Sequence, residues 1–289
     1  METIFVFFGF LMFAKLFLFW LWLWQLKEYH IGRFLAHFRE GQAIKKIISS
    51  FWRLKYPKFT KKIITISFTG LFLAILLFSQ GFYFSTFLLI IFLPLIFQMP
   101  TVIWRKRFLE KARKKREGFK NLLVIGITGS YGKTSTKEFL YAILSEKFGK
   151  DKVLKTKEHQ NSEVGIAQCI LNDLKPEHQI FICEMGAYGR GGIKLLCDIV
   201  KPKIGILTGI NEQHMATFGS QENIIKTKYE LIENLPEDGI AFFNAKNEYC
   251  LELYNETLRR SSGRVFLYGA EARGFGEENI LGAMAAAKE

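Results

Sequence analysis

The 289-residue sequence predicts an α/β domain, a parallel sheet with helices on both faces, preceded by an all-α membrane region of about three transmembrane helices. Three observations carry this. Long apolar runs and most of the phenylalanine, 21 of 29, lie before residue 121. After it, short β-type runs alternate with helical patterns, the order that builds a parallel sheet covered on both sides. A Gly-rich turn with a lysine joins the first of those strands to the first helix, as a phosphate loop requires.

Charge divides at the same place. Residues 1–120 carry 20 Lys+Arg and 5 Asp+Glu, net +15; residues 121–289 carry 20 and 22, net −2. The whole basic excess therefore belongs to the Phe-rich half. That counts against a nucleic-acid binder, whose basic face would sit on the folded domain. The apolar content argues against disorder, and four Cys without a Cys-x-x-Cys pair read as buried small hydrophobes in a reducing compartment.

The predicted membrane region is 1–120. Its apolar runs are Ile4–Trp24, broken by Lys15, then Ile63–Ser79 and Phe84–Trp104 without charge. At about 1.5 Å per residue, such runs span roughly 25–32 Å, close to a bilayer core. Lys15 near mid-bilayer costs a few kcal/mol, which the surrounding Phe, Leu and Trp should offset. A cleavable signal needs a basic start and a small-residue cleavage site. Met1-Glu2-Thr3 and the aromatic Trp20–Trp24 belt read instead as an uncleaved anchor. The loop 27–62 carries ten Lys/Arg, the linker 105–120 nine, and the turn Gln80–Tyr83 none. Positive-inside bias puts both basic segments and residues 105–289 in the cytoplasm, on a multi-pass membrane protein. The basic clusters of 105–116 are either lipid-headgroup contacts or a solvated flank. Amphipathic stretches in 31–56 read as surface helices or as mutual packing.

The predicted α/β domain is 121–289. Strands are expected at Leu122–Ile127, Lys152–Leu154, Gln179–Cys183, Lys203–Leu207, Gly239–Phe243 and Arg264–Leu267. Helices are expected at Ser135–Phe148, Val164–Leu174, Ile193–Val200 and Gln221–Leu235. In such sheets ligands bind at the carboxyl ends of strands, and the polar motifs all follow strands. Residues 126–136 read Gly-Ile-Thr-Gly-Ser-Tyr-Gly-Lys-Thr-Ser-Thr. Gly129 and Gly132 let the chain turn so that the N–H groups of Gly129, Ser130, Tyr131, Gly132, Lys133 and Thr134 meet phosphate oxygens, and the helix start adds a positive dipole end. Lys133 would neutralise the β/γ phosphates. The Thr134 hydroxyl would hold Mg²⁺, with Ser135 beside it.

Thr128–Thr136 resembles the nucleotide loop of the Mur ligases, the ATP-dependent amide-forming enzymes of peptidoglycan precursor synthesis. Later segments resemble that family in order: His159–Gly165, Ile182–Ala187 with Glu-Met-Gly, Thr208–His214, and Phe218-Gly219-Ser220 through Lys226–Glu230. The Glu-Met-Gly and Phe-Gly-Ser signatures are most like the branch that adds D-alanyl-D-alanine. The resemblance covers about residues 121–289.

It implies the chemistry of an acid–amino acid ligase working through an acyl phosphate, with ATP and Mg²⁺. It implies metal ligands at Thr134, Glu184, His214 and Lys228, the last as a carbamate, which needs a neutral amine and so a depressed pKa. Lys133, His214, Lys228 and Asn161 are the implied catalytic residues, with Ser162 less secure because the family has Asn there. Asn279 matches a family Asn near adenine. The implied partners are a UDP- or lipid-linked muramoyl peptide, an amino acid or dipeptide amine, and membrane lipids. Gly209 stands where the family usually has Asn, Tyr229 where Gly is common, and Gly282 replaces a second Asn. The sequence ends within a helical pattern at Ala285–Glu289, before the family's C-terminal domain, so the expectation is either that the chain continues beyond Glu289 or that a separate chain completes the site. A regulatory or scaffolding ATP-binding module without full ligase activity is the alternative. A membrane ATPase or tyrosine kinase fits less well, because its strand should end in Asp and this one ends in Glu184.

Overall fold

The structure, a computed structural model, describes residues 2–26, 49, 52, 55–212, 218–260, 263–274 and 276–289. The chain divides into two compact units, Met1–Trp104 and Arg105–Glu289.

In the first unit, α1 (Glu2–Leu26) and α2 (Lys61–Ser79) are followed by the start of α3 (Tyr83–Glu117). Thr60 caps α2 by accepting from the Ile63 N–H, and Gly81, at φ +75°, supplies the left-handed turn into α3. Phe13, Phe17 and Leu21 of α1, Ile63, Ile66 and Ala74 of α2, and Leu93 of α3 form one core. Gly70 is required there: a Cβ would collide with the Phe17 ring and lie 3.0 Å from Leu93 Cδ2. The Lys15 ammonium sits 5.1 Å from the Trp52 ring centroid, a cation–π contact that offsets its burial.

Three spans are expected from the sequence. Among the described residues, two stretches, Phe7–Gln25 and Lys61–Ser79, lie in helices long and apolar enough to cross a bilayer. The third apolar run is not a separate element. It is the first part of α3, which contains Pro94 and Pro100 and continues unbroken through the basic segment to Glu117. The helices expected in 31–56 lie almost wholly outside the described residues.

The boundary between units falls at 104/105, where composition places it at 120/121. The reason is that the end of α3 folds as part of the α/β unit. Ala112 is buried in that unit's core. The Arg116 guanidinium is buried and donates to the carbonyls of Val200 (2.8 Å), Phe119 (3.1 Å), Leu122 (3.3 Å) and Lys201 (3.5 Å). Lys115 Nζ donates to Leu171 O at 3.0 Å, and Arg105 pairs with Glu163 at 2.7 Å. Arg116 is thus neither a lipid contact nor solvated; it satisfies orphan carbonyls at a helix C-terminus. Arg116→Ala is expected to lower unfolding free energy by about 2–4 kcal/mol, because several buried acceptors lose their donor. A denaturant midpoint unchanged from wild type would contradict this.

The second unit is built on six parallel strands: β1 (Leu123–Thr128), β2 (Val153–Lys155), β3 (Ile180–Glu184), β4 (Ile204–Leu207), β5 (Ile240–Asn244) and β6 (Arg264–Tyr268), in the spatial order β2-β3-β1-β4-β5-β6. The helices between them are α4 (Lys133–Phe148), α5 (Glu163–Asp173), α6 (Gly192–Val200), α7 (Gln221–Glu233), α8 (Glu248–Arg260) and α9 (Glu277–Lys288). The central strands are buried end to end, as strands covered on both faces must be. Alternate residues of β1 serve opposite cores. Ile125 and Ile127 pack with Leu140, Leu144, Ala283 and Ala286 of α4 and α9, while Val124 faces the side of α5 to α8. The expected strands and helices all form, within one or two residues. Helix α8 is an addition. β1 sits centrally, with β3 on one side and β4 on the other, so the order reverses there and the loops after β1, β3 and β4 open around one crevice.

Candidate active site

The loop between β1 and α4 has the conformation its glycines permit. Gly129 has φ +154° and Gly132 φ +79°. A Cβ at 129 would collide with the Thr208 hydroxyl and lie 2.9 Å from Gly209 O; one at 132 would collide with the Asn279 amide. Gly132 is the N-cap of α4 and no side chain caps that helix, so its first-turn amides end at the crevice. The Lys133 ammonium folds back over the loop, donating to Gly129 O at 2.8 Å and Ser130 O at 3.2 Å. Burial lowers its pKa, and Glu184 opposes that shift.

Glu184, the last residue of β3, is the hub. Its Oε2 accepts from Thr134 Oγ1 (3.0 Å) and from Lys137 Nζ (3.2 Å), and its Oε1 from Asn161 Nδ2 (3.2 Å). Its own N–H donates to Thr156 Oγ1 at 3.0 Å, which fixes the strand end. Asn161 O in turn accepts from Gly186 N at 2.7 Å, so the Asn-rich segment and the Glu-Met-Gly turn are locked together. Ser162 caps α5, accepting from Gly165 N at 3.4 Å. It has a helix-capping role here.

Lys228 on α7 lines the same pocket, with Gly129, Ser130, Lys133, Asn161, Gly186 and Phe218. Its ammonium is 5.7 Å from the Phe218 ring centroid. Burial first, and the Lys133 charge second, lower its pKa to about 8, against the pull of Glu230. A substantial neutral fraction near pH 8 is what carbamate formation needs. Between pH 8 and 10.5 the native state binds fewer protons here than the unfolded chain, so stability rises with pH across that window. At pH 7 keeping this amine buried costs on the order of 3 kcal/mol. Lys228→Met is therefore expected to raise stability at pH 7 and to flatten the rise above pH 8; an unaltered pH profile in denaturant titrations would contradict that.

The structure thus brings together Lys133, Thr134, Asn161, Glu184 and Lys228. Ser135 is exposed on the first turn of α4. Asn279 is buried, and its Oδ1 accepts from Thr136 Oγ1 at 3.3 Å, directly behind Gly132. His214 lies outside the described residues. Among the described residues, no group of three or more His, Cys, Asp or Glu converges on one point. The candidate cation donors are the Thr134 hydroxyl and the Glu184 carboxylate. These hard oxygens beside an uncapped helix start suit Mg²⁺ with a polyphosphate. Burial pushes Cys169, Cys197 and Cys250 up to about 12 and raises Cys183 well above the ordinary thiol value, and all four are free and buried.

Sequence reasoning missed Lys137. It is fully buried and forms the charge partner of Glu184. Its spacing of four from Lys133 puts both on one helix face, and that was the available signal. Two departures from the family pattern also find their reason. Any side chain at Gly209 would meet the Tyr131 ring, and any at Gly282 the Tyr268 ring.

Residues 127–286 match the Mur ligase middle domain. A UDP-N-acetylmuramoyl-tripeptide–D-alanyl-D-alanine ligase of a Synechocystis species is 38% identical over 169 residues, which is 58% of this chain and 33% of that protein. The enzyme of the same name from Bacillus subtilis is 38% identical over 121 residues, 42% of this chain and 25% of that protein. A crystal structure of MurF from Acinetobacter baumannii superposes with a TM-score of 0.53 at 29% identity, covering 58% of this chain and 35% of that one. The chain spans about a third or less of the length of these relatives. With the loop, the Glu184 hub and the strands β2 to β6 inside the matched region, the chain belongs to the Mur ligase family.

Proposed function

We propose that this chain performs ATP-dependent amide formation in peptidoglycan precursor synthesis, held at the cytoplasmic face of a membrane by its N-terminal helices. The observation that carries the reading is that Lys133, Lys228 and Asn161 line one pocket at the strand ends, and that Asn161 is bonded to the buried Glu184 carboxylate, which also accepts from the Thr134 hydroxyl. The relatives' names specify the substrates: the carboxylate of a UDP-muramoyl tripeptide and the amine of D-alanyl-D-alanine. Both the acceptor carboxylate and a triphosphate are anionic, and cations must bring them together.

When bound, Mg·ATP supplies the phosphoryl group that turns the carboxylate into an acyl phosphate, and the metal neutralises charge. The chain's own groups do the rest. Amides of 129–134 would hold phosphate oxygens, and Lys133, which rests on the loop carbonyls of Gly129 and Ser130, would neutralise them. Thr134 and Glu184 would hold the metal. Asn161 orients Glu184 through its 3.2 Å bond. Lys228, its pKa lowered to about 8, would add to CO₂ as the neutral amine with release of one proton, and the carbamate would offer a second anionic ligand. Attack of the neutral amine on the acyl phosphate would then break the C–O bond to phosphate, and loss of a proton from nitrogen would leave the amide.

Support for the membrane placement comes from α2, whose outward Phe68, Phe72 and Ile75 are 75%, 56% and 54% exposed, an apolar face that water would not tolerate. Phosphate release by the full chain is the test. The reading expects release that requires both UDP-muramoyl tripeptide and D-alanyl-D-alanine, with the joined product in the mass spectrum. Tight nucleotide binding without release under any combination would instead favour a regulatory nucleotide-binding module.

A further inference from the structure

The phosphate loop is stitched to the segment leaving β4, and the side chain that makes the stitch lies outside the residues assigned above. Asn247 follows β5. Its Oδ1 accepts from Ile210 N (3.2 Å) and Cys250 N (3.1 Å), and its Nδ2 donates to Ile210 O (2.9 Å) and to the Tyr131 hydroxyl (3.2 Å). Two acceptor bonds and two donor bonds exhaust an amide side chain, so its orientation is fixed. Tyr131, held this way, covers Gly209. A Cβ at 209 would lie 2.6 Å from Oη and 2.8 Å from Cε2 of that ring. Ser130 completes the seam: its N–H donates to Gly209 O at 2.6 Å, and its hydroxyl accepts from Asn211 N at 3.2 Å. Inside the loop, the Thr208 hydroxyl donates to Tyr131 O.

A side chain at 209 and a seated tyrosine at 131 exclude each other. The geometry points to Asn247 and Tyr131 as positioning residues, a latch that holds Gly129–Gly132 in its nucleotide-receiving conformation before nucleotide arrives and that works only because 209 is glycine. The inference rests on the phosphate-loop reading. A loop ordered in advance loses less conformational freedom on binding, so the latch contributes affinity without touching the ligand.

The test uses the full chain and Mg·ADP in titration calorimetry, well below the melting temperature of every variant. Asn247→Leu keeps the bulk but loses both donors and the acceptor, and each of Asn247→Leu and Gly209→Asn is expected to weaken binding about tenfold. Tyr131→Phe, which removes only the hydroxyl, should weaken it by about threefold. The pair Tyr131→Asn/Gly209→Asn should bind within about threefold of Tyr131→Asn alone, because the excluded volume is gone. A contribution to general stability would move melting temperatures but would not produce this rescue. Wild-type affinity in both Asn247→Leu and Gly209→Asn, or a double variant as weak as the product of its singles, overturns the latch. Lys133→Ala measured alongside separates the two claims. If it binds normally, the phosphate-loop reading fails; if it loses binding while the latch variants are silent or multiplicative, only the latch fails.

Discussion

Lys133→Ala is expected to weaken Mg·ADP binding on the order of 100-fold, the worth of charge-assisted bonds to phosphate oxygens in a half-enclosed site. Two roles are removed at once. The ammonium is the nearest cation to the loop amides, and with no nucleotide it holds Gly129 O and Ser130 O. Its own pKa is lowered by burial, so the folded protein gains rather than loses from removing that charge, and stability should fall little. Lys133→Arg should restore only part of the affinity, since the planar guanidinium cannot occupy the same two-carbonyl seat. Calorimetric titration with Mg·ADP, paired with a thermal melt, reads both quantities. Normal affinity in the alanine variant would remove the loop from the account.

The second large effect concerns Glu184 and Lys137. Their side chains are 8% and 1% exposed and 3.2 Å apart. Breaking the pair from one side leaves Lys137 to the half-exposed Glu138 at 3.4 Å, or Glu184 to neutral donors, at a cost of about 3–5 kcal/mol. Glu184→Leu and Lys137→Met should each cost this much in denaturant unfolding. Glu184→Leu with Lys137→Met should recover most of it, because a matched apolar pair has nothing left uncompensated. The double variant would nonetheless not recover nucleotide binding, since Thr134 and Asn161 would have lost the carboxylate they share. Simple additivity of the two single losses would show that the pair is not coupled as the structure indicates.

Much of the α/β unit was legible because its strands are short, apolar and ended by glycine or polar motifs. β1 runs straight into Thr128-Gly129, and β3 into Glu184-Met185-Gly186. Helix α8 was not, because among its described side chains only Cys250, Leu253 and Thr257 are deeply buried, a thin stripe among charged neighbours. The compact units divide at 104/105 and not at the change of composition for a different reason. Composition changes at 120, whereas Arg116 is held by the carbonyl of Val200, 84 residues away, a contact no local pattern announces. In the site, Lys133, Thr134, Asn161, Glu184 and Lys228 were readable from motif order. Lys137 was not, since a lysine on a helix reads as solvated until a buried carboxylate is placed beside it. The role of Asn247 emerges only when three loops are seen together.

The central claim is that Mg²⁺ and a nucleotide's phosphates sit between the amides of 129–134 and the Glu184 carboxylate. A crystal structure of the full chain with Mg·ADP tests it most directly. The account predicts the β-phosphate against those amides, Lys133 turned from Gly129 O onto phosphate oxygen, and Thr134 and Glu184 facing the cation. Nucleotide bound at any other place, with Lys133 still on the loop carbonyls and Glu184 still closed on Lys137 and Thr134, would contradict it.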